Sequence, residues 1–188
     1  MLMVEEAHLP LTITVPEITD KEFRRLCDQY EDFRVEYTAE GELLVMPPTD
    51  PETSWQNNWI SYQLMGWALS GKRGLATESS GGFHLPNGAR RAPDAAWISH
   101  ERLARKPTCP EFVIELISPF DSVKKTRAKM VEWIGNGALL AWMINPRTKS
   151  VTIFRPVRKP ETITGVTKVS GDGPVEGFVL DLRPVWEA

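Results

Sequence analysis

The chain has 188 residues, of which 41% are hydrophobic and 25% charged. This size and composition are typical of one folded globular domain, and we expect a single domain over residues 1–188. The net charge of −3 argues against a protein that coats nucleic acid, because such binding depends on Lys and Arg neutralising phosphates. A local basic groove remains compatible with that charge.

The sequence favours a cytoplasmic protein. No apolar run approaches the roughly 18 residues of a membrane helix, and the start "MLMVEEAHLP" lacks the basic and apolar regions of a signal peptide. Cys27 and Cys109 are too few and too far apart for a disulfide framework or a thiolate metal site. They suit a reducing compartment as small buried residues.

The N-terminal part predicts a helix, a hairpin and a second helix. "ITDKEFRRLCDQY" has a capping-box pattern, with Thr19 three residues before Glu22. "FRVEYTAEGELLVMPP" alternates on both sides of the turn residues "AEG", which indicates a β-hairpin. "TSWQNNWISYQLMGWALSGKRG" has helical spacing and ends at Gly71. Its stripe of Trp55, Trp59 and Tyr62 favours core or interface packing over base stacking.

The remainder alternates strands with one helix. "PDAAWIS" and "CPEFVIELISPFD" predict strands, and "SVKKTRAKMVEWIGNG" predicts a helix with Val123, Met130 and Ile134 on its apolar face. "ALLAWMINP" and "SVTIFRP" predict two further strands around a turn. The order indicates an α/β (α+β) domain with a central mixed β-sheet flanked by helices, preceded by an N-terminal helix and hairpin.

Glu115 lies near the centre of an apolar strand. Phe112, Ile114 and Leu116 fall on one face of that strand, and Glu115 shares the other face with apolar neighbours. An ionised carboxylate buried without a partner is costly. We therefore expect Glu115 to face a cleft at the strand end, to pair with a cation, or to bind a metal.

Asp94 and Lys129 are candidates for the same site. Asp94 opens a strand directly after a proline, although a turn aspartate that caps its own backbone is the common alternative. Two carboxylates on neighbouring strands can converge on one Mg²⁺ ion. Lys129 lies at the flank of the apolar helix face, four residues before Trp133. From spacing alone, a lysine that lays its stem on Trp133 and points outward is the favoured interpretation.

Basic residues flank these segments, at Arg90 and Arg91 and again from Lys124 to Lys129. Charge taken alone favours a solvated basic surface over a nucleic-acid groove.

Several ordered motifs carry a resemblance to a known family. "RRAPDAAWIS", "CPEFVIELISPFD" and "KMVEWIGNGALLAWMINP" together resemble the Uma-type restriction endonuclease family, a branch of the PD-(D/E)XK nuclease superfamily. The similarity extends from about Glu36, in "RVEYTAEGELLVMPPT", to "GFVLDLRPVW" at the C-terminus.

The resemblance implies a restriction-endonuclease-like fold and phosphodiester hydrolysis that depends on Mg²⁺ or Mn²⁺. Asp94 matches the motif aspartate and Glu115 the acidic residue of the following strand, so both are the implied metal ligands and catalytic residues. The superfamily lysine stands two positions later, where this chain has Ile117. The resemblance implies that Lys129 replaces it and that Glu36 is an additional acidic residue. An exposed hairpin position remains the alternative for Glu36.

Three functions therefore compete. The leading hypothesis is a metal-dependent DNA endonuclease, which the pair Asp94 and Glu115 favours. A non-catalytic nuclease-fold protein that binds nucleic acid or regulates a partner is the first alternative, because the net charge is acidic and Ile117 replaces the lysine. An oligomeric interaction protein is the second, because the aromatic helix from Trp55 to Trp67 is suited to a homodimer interface.

Overall fold

The structure, a computed structural model, describes residues 10–15, 17–71, 74–106, 108–119 and 121–188. Its α-helices there are α1 (Asp20–Gln29), α2 (Pro51–Gly71), α3 (His100–Leu103), α4 (Val123–Gly135) and α5 (Arg183–Glu187). Its β-strands there are β1 (Leu11–Thr14), β2 (Arg34–Tyr37), β3 (Glu42–Met46), β4 (Gly74–Glu78), β5 (Phe83–His84), β6 (Arg90–Arg91), β7 (Ala95–Ser99), β8 (Phe112–Leu116), β9 (Leu140–Asn145), β10 (Ser150–Phe154), β11 (Glu161–Thr164), β12 (Lys168–Ser170) and β13 (Val179–Asp181).

The largest sheet in these residues has six strands in the order β11-β10-β9-β8-β7-β4. Strands β8 and β9 are parallel, whereas the other neighbouring pairs are antiparallel. Parallel neighbours need a crossover connection, and α4 supplies it. In this β8-α4-β9 unit the helix that carries Lys129 packs over the strand that carries Glu115.

A second, antiparallel sheet has the order β1-β3-β2-β6-β5 and contains the predicted hairpin as β2 and β3. The hairpin turn requires glycine at Gly41, where φ is +85° and a Cβ would lie 3.2 Å from the carbonyl oxygen of Val15. On its other side, strand β2 pairs with β6 through Tyr37 and Arg90. The hairpin therefore lies beside the segment that leads into Asp94. Strands β12 and β13 form a separate pair.

The alternation predicted for β8 is confirmed. Phe112, Ile114 and Leu116 pack into the apolar cluster that includes Ile60 and Leu64 of α2. The opposite face packs under α4, in a cluster that contains Val113, Ile117 and Met130 as its buried members. Glu115 shares this second face and is only 4% exposed. The large sheet thus separates α2 from the surroundings of Glu115.

Helix α4 is rotated relative to the predicted apolar face. Met130 and Trp133 are fully buried, whereas Val123 is 45% exposed and Ile134 is partly buried. The prediction that Val123 belongs to the buried face is wrong. Trp133 has the larger apolar surface, and its indole N–H reaches a carboxylate beneath the helix, so this side chain faces the sheet.

The predicted α/β architecture, with a mixed sheet flanked by helices and an N-terminal helix and hairpin, is confirmed. Helix α1 has the predicted capping box, in which Thr19 accepts from the Glu22 N–H and the Glu22 carboxylate accepts from the Thr19 N–H. None of the helices in the described part of the chain is long and apolar enough to cross a membrane.

Candidate active site

The structure brings the four sequence-predicted residues into one buried polar cluster. Glu36 lies on β2, Asp94 directly precedes β7, Glu115 lies on β8 and Lys129 lies on α4. Glu36 is 2%, Asp94 6% and Glu115 4% exposed. Four separate segments therefore deliver their charged groups to one place on the α4 side of the large sheet.

Lys129 points into this cluster and connects two of its carboxylates. Its Nζ donates to Oε1 of Glu36 at 2.9 Å and to Oε2 of Glu115 at 3.1 Å. It also donates to the carbonyl oxygen of Ala92 at 3.2 Å. The outward-pointing interpretation of Lys129 is therefore wrong, because a charged group with three buried acceptors is stabilised inside.

Asp94 is anchored by backbone and side-chain donors. The N–H of Leu116 donates to its Oδ2 at 2.8 Å, and Nη1 of Arg34 donates to its Oδ1 at 3.1 Å. Asp94 thus spans from β7 to the end of β8 and to β2. The alternative in which Asp94 only caps its own backbone is not what the structure shows.

Glu36 is the most heavily compensated carboxylate of the cluster. Lys129 and Arg34 donate to its Oε1, Arg91 donates to its Oε2 at 3.1 Å, and the N–H of Ala92 donates to Oε1 at 3.2 Å. Arg91 also forms an ion pair with Glu132 at 2.6 Å. The alternative of an exposed hairpin residue is wrong for Glu36.

The two buried glutamates differ in their electrostatics. Burial alone would raise the pKa of Glu36, but the combined charges of Lys129, Arg34 and Arg91 lower this pKa to about 2. Burial raises the pKa of Glu115 to about 7, and the attraction of Lys129 is partly offset by the repulsion of Asp94. Glu36 is therefore ionised at neutral pH, whereas Glu115 exchanges its proton near neutrality.

Lys129 keeps its charge despite burial. Burial lowers the pKa of a lysine, but the carboxylates of Glu115 and Glu36 outweigh this and leave the pKa of Lys129 raised. The cluster has more acidic than basic groups. Its ion-paired members are the cations Arg34, Arg91 and Lys129 and the acids Glu36, Asp94, Glu115 and Glu132.

Sequence reasoning missed Arg34 and the hydrogen bond of Trp133. Arg34 lies two residues before Glu36 on β2, so strand alternation alone places both side chains on the same face. No hydrogen bond was predicted for Trp133, whose Nε1 donates to Oε1 of Glu115 at 2.9 Å. The sequence signal for Arg34 was its two-residue spacing to Glu36, whereas the contact of Trp133 with Glu115, 18 residues away, had no such signal.

Only some of the basic residues expected near the site belong to the polar cluster. Arg91 and Lys129 are part of the cluster, whereas Arg90 pairs with Asp20 at 2.7 Å. The cations Lys124, Lys125 and Arg127 are exposed on α4. A solvent-facing basic strip therefore runs along the helix that carries Lys129.

The donor set fits a hard divalent cation in its chemistry. Among the described residues no group of three or more His, Cys, Asp or Glu side chains is placed to hold a metal ion. Mg²⁺ needs only one or two carboxylates, because waters complete its shell. Asp94 and Glu115 can supply these, because Asp94 accepts a hydrogen bond from the N–H of Leu116, the residue that follows Glu115. In this structure Arg34 contacts Oδ1 of Asp94, and Lys129 contacts Oε2 of Glu115.

Comparison with known proteins supports the fold and shows the family. The fold is similar to that of a solved structure described as a putative nuclease belonging to DUF820 from Anabaena variabilis ATCC 29413, with a TM-score of 0.70 and 17% sequence identity. The match covers 81% of this chain and 89% of that one, so the two chains share a fold. No curated protein matches the sequence. The family model Uma2, described as "Putative restriction endonuclease", matches residues 20–183, and the chain therefore belongs to the Uma2 family.

Proposed function

We propose that this protein is a Mg²⁺- or Mn²⁺-dependent endonuclease that hydrolyses phosphodiester bonds of DNA. The observation that carries the proposal is the position of Lys129, whose Nζ lies 2.9 Å from Glu36 and 3.1 Å from Glu115 in a cluster that also contains Asp94. A largely buried lysine that contacts two carboxylates is a costly arrangement for a fold to maintain. Such arrangements are concentrated at functional sites.

Asp94 and Glu115 are the residues that would hold the metal ion. The ion supplies Lewis-acid chemistry when bound, because it polarises a phosphoryl oxygen and lowers the pKa of water. Lys129 stabilises the negative charge that develops on the phosphate, and Glu36 keeps its ammonium in position. Trp133 orients Glu115 through the hydrogen bond to its Oε1.

The position of Ile117 supports the assignment of Lys129. Ile117 is 2% exposed and packs in the apolar cluster under α4. A lysine there would put an ammonium among apolar side chains. Helix α4 instead brings Lys129 to the carboxylate of Glu115. A lysine therefore reaches this carboxylate although strand β8 itself contains none.

The exposed cations of α4 support a nucleic-acid substrate. Lys124, Lys125 and Arg127 are exposed on the helix that carries Lys129, and phosphate contacts from such residues position a nucleic-acid backbone without reading its sequence. DNA, rather than RNA, is the substrate we propose, because the matching family is described as a restriction endonuclease.

The test is cleavage of plasmid DNA, single-stranded DNA and RNA by the wild-type protein with Mn²⁺ or Mg²⁺. Lys129→Met keeps an unbranched apolar stem and removes the charge, so the rate should fall on the order of a hundredfold or more. Lys125→Met is the matched control on the exposed side of α4. It should weaken DNA binding in a salt-dependent way and retain the maximal rate. Equal cleavage by Lys129→Met and wild type would remove Lys129 from the mechanism.

A second function is favoured by one specific observation. Both oxygens of Asp94 and both oxygens of Glu115 already have protein partners, including the cations Arg34 and Lys129. Two carboxylates whose oxygens are all paired with protein groups suit a non-catalytic protein that binds nucleic acid or regulates a partner. Salt-dependent DNA binding without cleavage of any substrate would establish this second function.

We propose a cytoplasmic location for the protein. Both cysteines are free, and burial raises the pKa of the Cys109 thiol to about 12, so Cys109 is suited to a structural role in a reducing compartment. Cell fractionation with a tagged chain tests this location, and recovery in the membrane or secreted fraction would contradict it.

A further inference from the structure

Helix α2 exposes an apolar face on the side opposite to its core contacts. Ile60 and Leu64 point into the core. On the other side Tyr62 is 71% exposed, Leu69 69%, Trp55 47% and Met65 41%. Large apolar side chains exposed together on one surface mark an interaction site more often than isolated ones do.

The exposed residues follow the spacing of a helix-pairing seam. Trp55, Asn58, Tyr62, Met65 and Leu69 are separated by three, four, three and four residues, and the exposed members include Asn58. This alternation is the a and d pattern of a heptad, which keeps one stripe facing a partner helix. We refer to these five residues as the α2 seam. A helix that packs only against its own core has no need of a second heptad stripe on its solvent side.

The α2 seam also lacks charge. From Thr53 to Gly71 the sequence contains no Asp, Glu, Lys or Arg, although 25% of the whole chain is charged. Charged residues normally cover the solvent side of a surface helix. Their absence over this entire length indicates that water is not the usual neighbour of this face.

We propose that the α2 seam is the interface of a twofold-symmetric homodimer of this chain. A face without charge can meet a copy of itself without like-charge repulsion, and its heptad stripe can pair with the same stripe of a second copy. In a twofold contact the same patch is used by both copies. The two α2 helices would cross antiparallel, with the two Tyr62 side chains near the axis and Trp55 of one copy toward Leu69 of the other.

The seam runs along most of α2. The 21 residues of this helix extend about 31 Å at ~1.5 Å per residue. Shallow cavities adjoin both ends of the helix. One of about 340 Å³ is bordered by Trp55 and Pro184, and one of about 270 Å³ by Trp67 and Glu176.

The middle of the seam permits close approach of a second helix. A Cβ added at Gly66 would meet nothing within 4 Å, so this position has open space on its solvent side. Small residues at helix interfaces allow backbones to come near each other, and Ser61 and Gly66 flank Tyr62 and Met65. The aromatic members are already ordered, because Trp55 stacks on Trp59 at 6.2 Å between ring centroids. Pairing then costs less side-chain entropy.

The dimer leaves the candidate active site open. Helix α2 packs on the face of the large sheet that carries Ile114, whereas Lys129 and Glu115 lie on the α4 face. Two copies joined through α2 would therefore present their clusters on outer surfaces. The inference goes beyond the proposed nuclease function, because dimer formation does not depend on cleavage.

The experiment is the mass in solution, measured by light scattering after size-exclusion chromatography in the absence of nucleic acid. The wild type should give twice the monomer mass of 21.2 kDa at micromolar concentrations. The double variant Tyr62→Glu and Leu69→Glu should give the monomer mass, with the dissociation constant raised at least about a hundredfold. Val131→Glu, at a 59% exposed apolar position on α4, is the matched control and should remain dimeric.

A crosslinking measurement locates the interface independently. In a Cys27→Ser background, Tyr62→Cys should form an intermolecular disulfide on mild oxidation, because a twofold axis near this position brings the two thiols together. Val131→Cys in the same background should not. A monomeric wild type, or a double variant that stays dimeric with unchanged circular dichroism, would overturn the inference.

Discussion

Arg34 and Asp94 form an ion pair inside the cluster, with Nη1 of Arg34 3.1 Å from Oδ1 of Asp94. The second guanidinium nitrogen, Nη2, contacts Glu36 at 3.2 Å. Arg34 therefore places a fixed positive charge beside one of the two carboxylates that we propose as metal ligands. A cation already present at Asp94 competes with a metal ion for the same oxygen.

We expect Arg34→Gln to bind Mn²⁺ more tightly than the wild type, by about tenfold or more, because the competing charge is removed. Isothermal titration measures the affinity. Arg91→Gln is the control, because Arg91 contacts Glu36 and Glu132. Its metal affinity should change much less.

Adding Asp94→Asn or Glu115→Gln to Arg34→Gln should abolish the gain in Mn²⁺ affinity, because each change removes a charged oxygen ligand. Unchanged or weaker metal binding by Arg34→Gln itself would show that the guanidinium does not compete at Asp94.

The two buried glutamates should respond differently to amide substitution. Glu36→Gln leaves Lys129, Arg34 and Arg91 without their shared carboxylate, which should cost on the order of 3 kcal/mol or more in the free energy of unfolding. Glu115→Gln should be about as stable as the wild type at neutral pH, because ionising this carboxyl is unfavourable in the fold.

Urea unfolding at neutral pH in chelator compares these two variants. Glu40→Gln, at an exposed position of the same hairpin, is the control and should have little effect. A large loss of stability in Glu115→Gln would show that Glu115 is needed chiefly as the counter-ion of Lys129.

The free energy of unfolding should fall in two pH ranges, once as the pH rises and once as it falls. The pKa of Glu115 is raised from 4.5 to about 7, so the folded state keeps a proton that the unfolded state releases, and the free energy of unfolding falls as pH rises across this interval. The pKa of Glu36 is lowered from 4.5 to about 2, so its contribution is complete above 4.5 and is lost as pH falls toward 2.

Unfolding free energies measured across this pH range test both declines. Glu115→Gln should remove the decline between about pH 4.5 and 7, and Glu36→Gln should reduce the acid-side decline. A decline of wild-type size that persists in Glu115→Gln would assign it to another group.

Trp133→Phe should affect both stability and the titration of Glu115. The buried hydrogen bond from Nε1 to Oε1 is lost, which should cost about 1–3 kcal/mol. The donor favours the charged carboxylate, so its removal should raise the pKa of Glu115 further. The fall in unfolding free energy above pH 4.5 should then extend to higher pH.

Trp142→Phe is the matched control for Trp133→Phe. Trp142 is also fully buried, but within the described residues its Nε1 has no hydrogen-bond partner. This variant should lose packing energy without moving the titration of Glu115. Identical pH profiles for the two tryptophan variants would contradict the role given to Trp133.

The sequence was sufficient for features that depend on local chemistry. The capping box of Thr19 fixed the start of α1, and strand alternation placed Glu115 on the opposite face from Ile114. These features need only neighbouring residues, so a single sequence contains the required information.

The features that could not be predicted from the sequence depend on contacts between distant segments. Arg34 lies 60 residues from Asp94 in the chain, and the pairing that joins β2 to β6 consists of short strands with little pattern of their own. The division into two larger sheets could not be predicted for the same reason. The burial of Lys129 depends on this packing too, because Glu36 contacts it only when the hairpin is in place.

The N-terminal hairpin is held by a smaller core than the rest of the site. Its cluster has Tyr37, Leu43 and Val45 as fully buried members, and α1 contributes no fully buried residue. Regions with few buried contacts open locally at lower free energy than the global unfolding transition. Backbone amides of β2 and β3 should therefore exchange with solvent faster than those of β8 and β9. One such opening would release Lys129 from Glu36 and Asp94 from Arg34 together, which would make fluctuations of the hairpin a gate for solvent and ions entering the cluster.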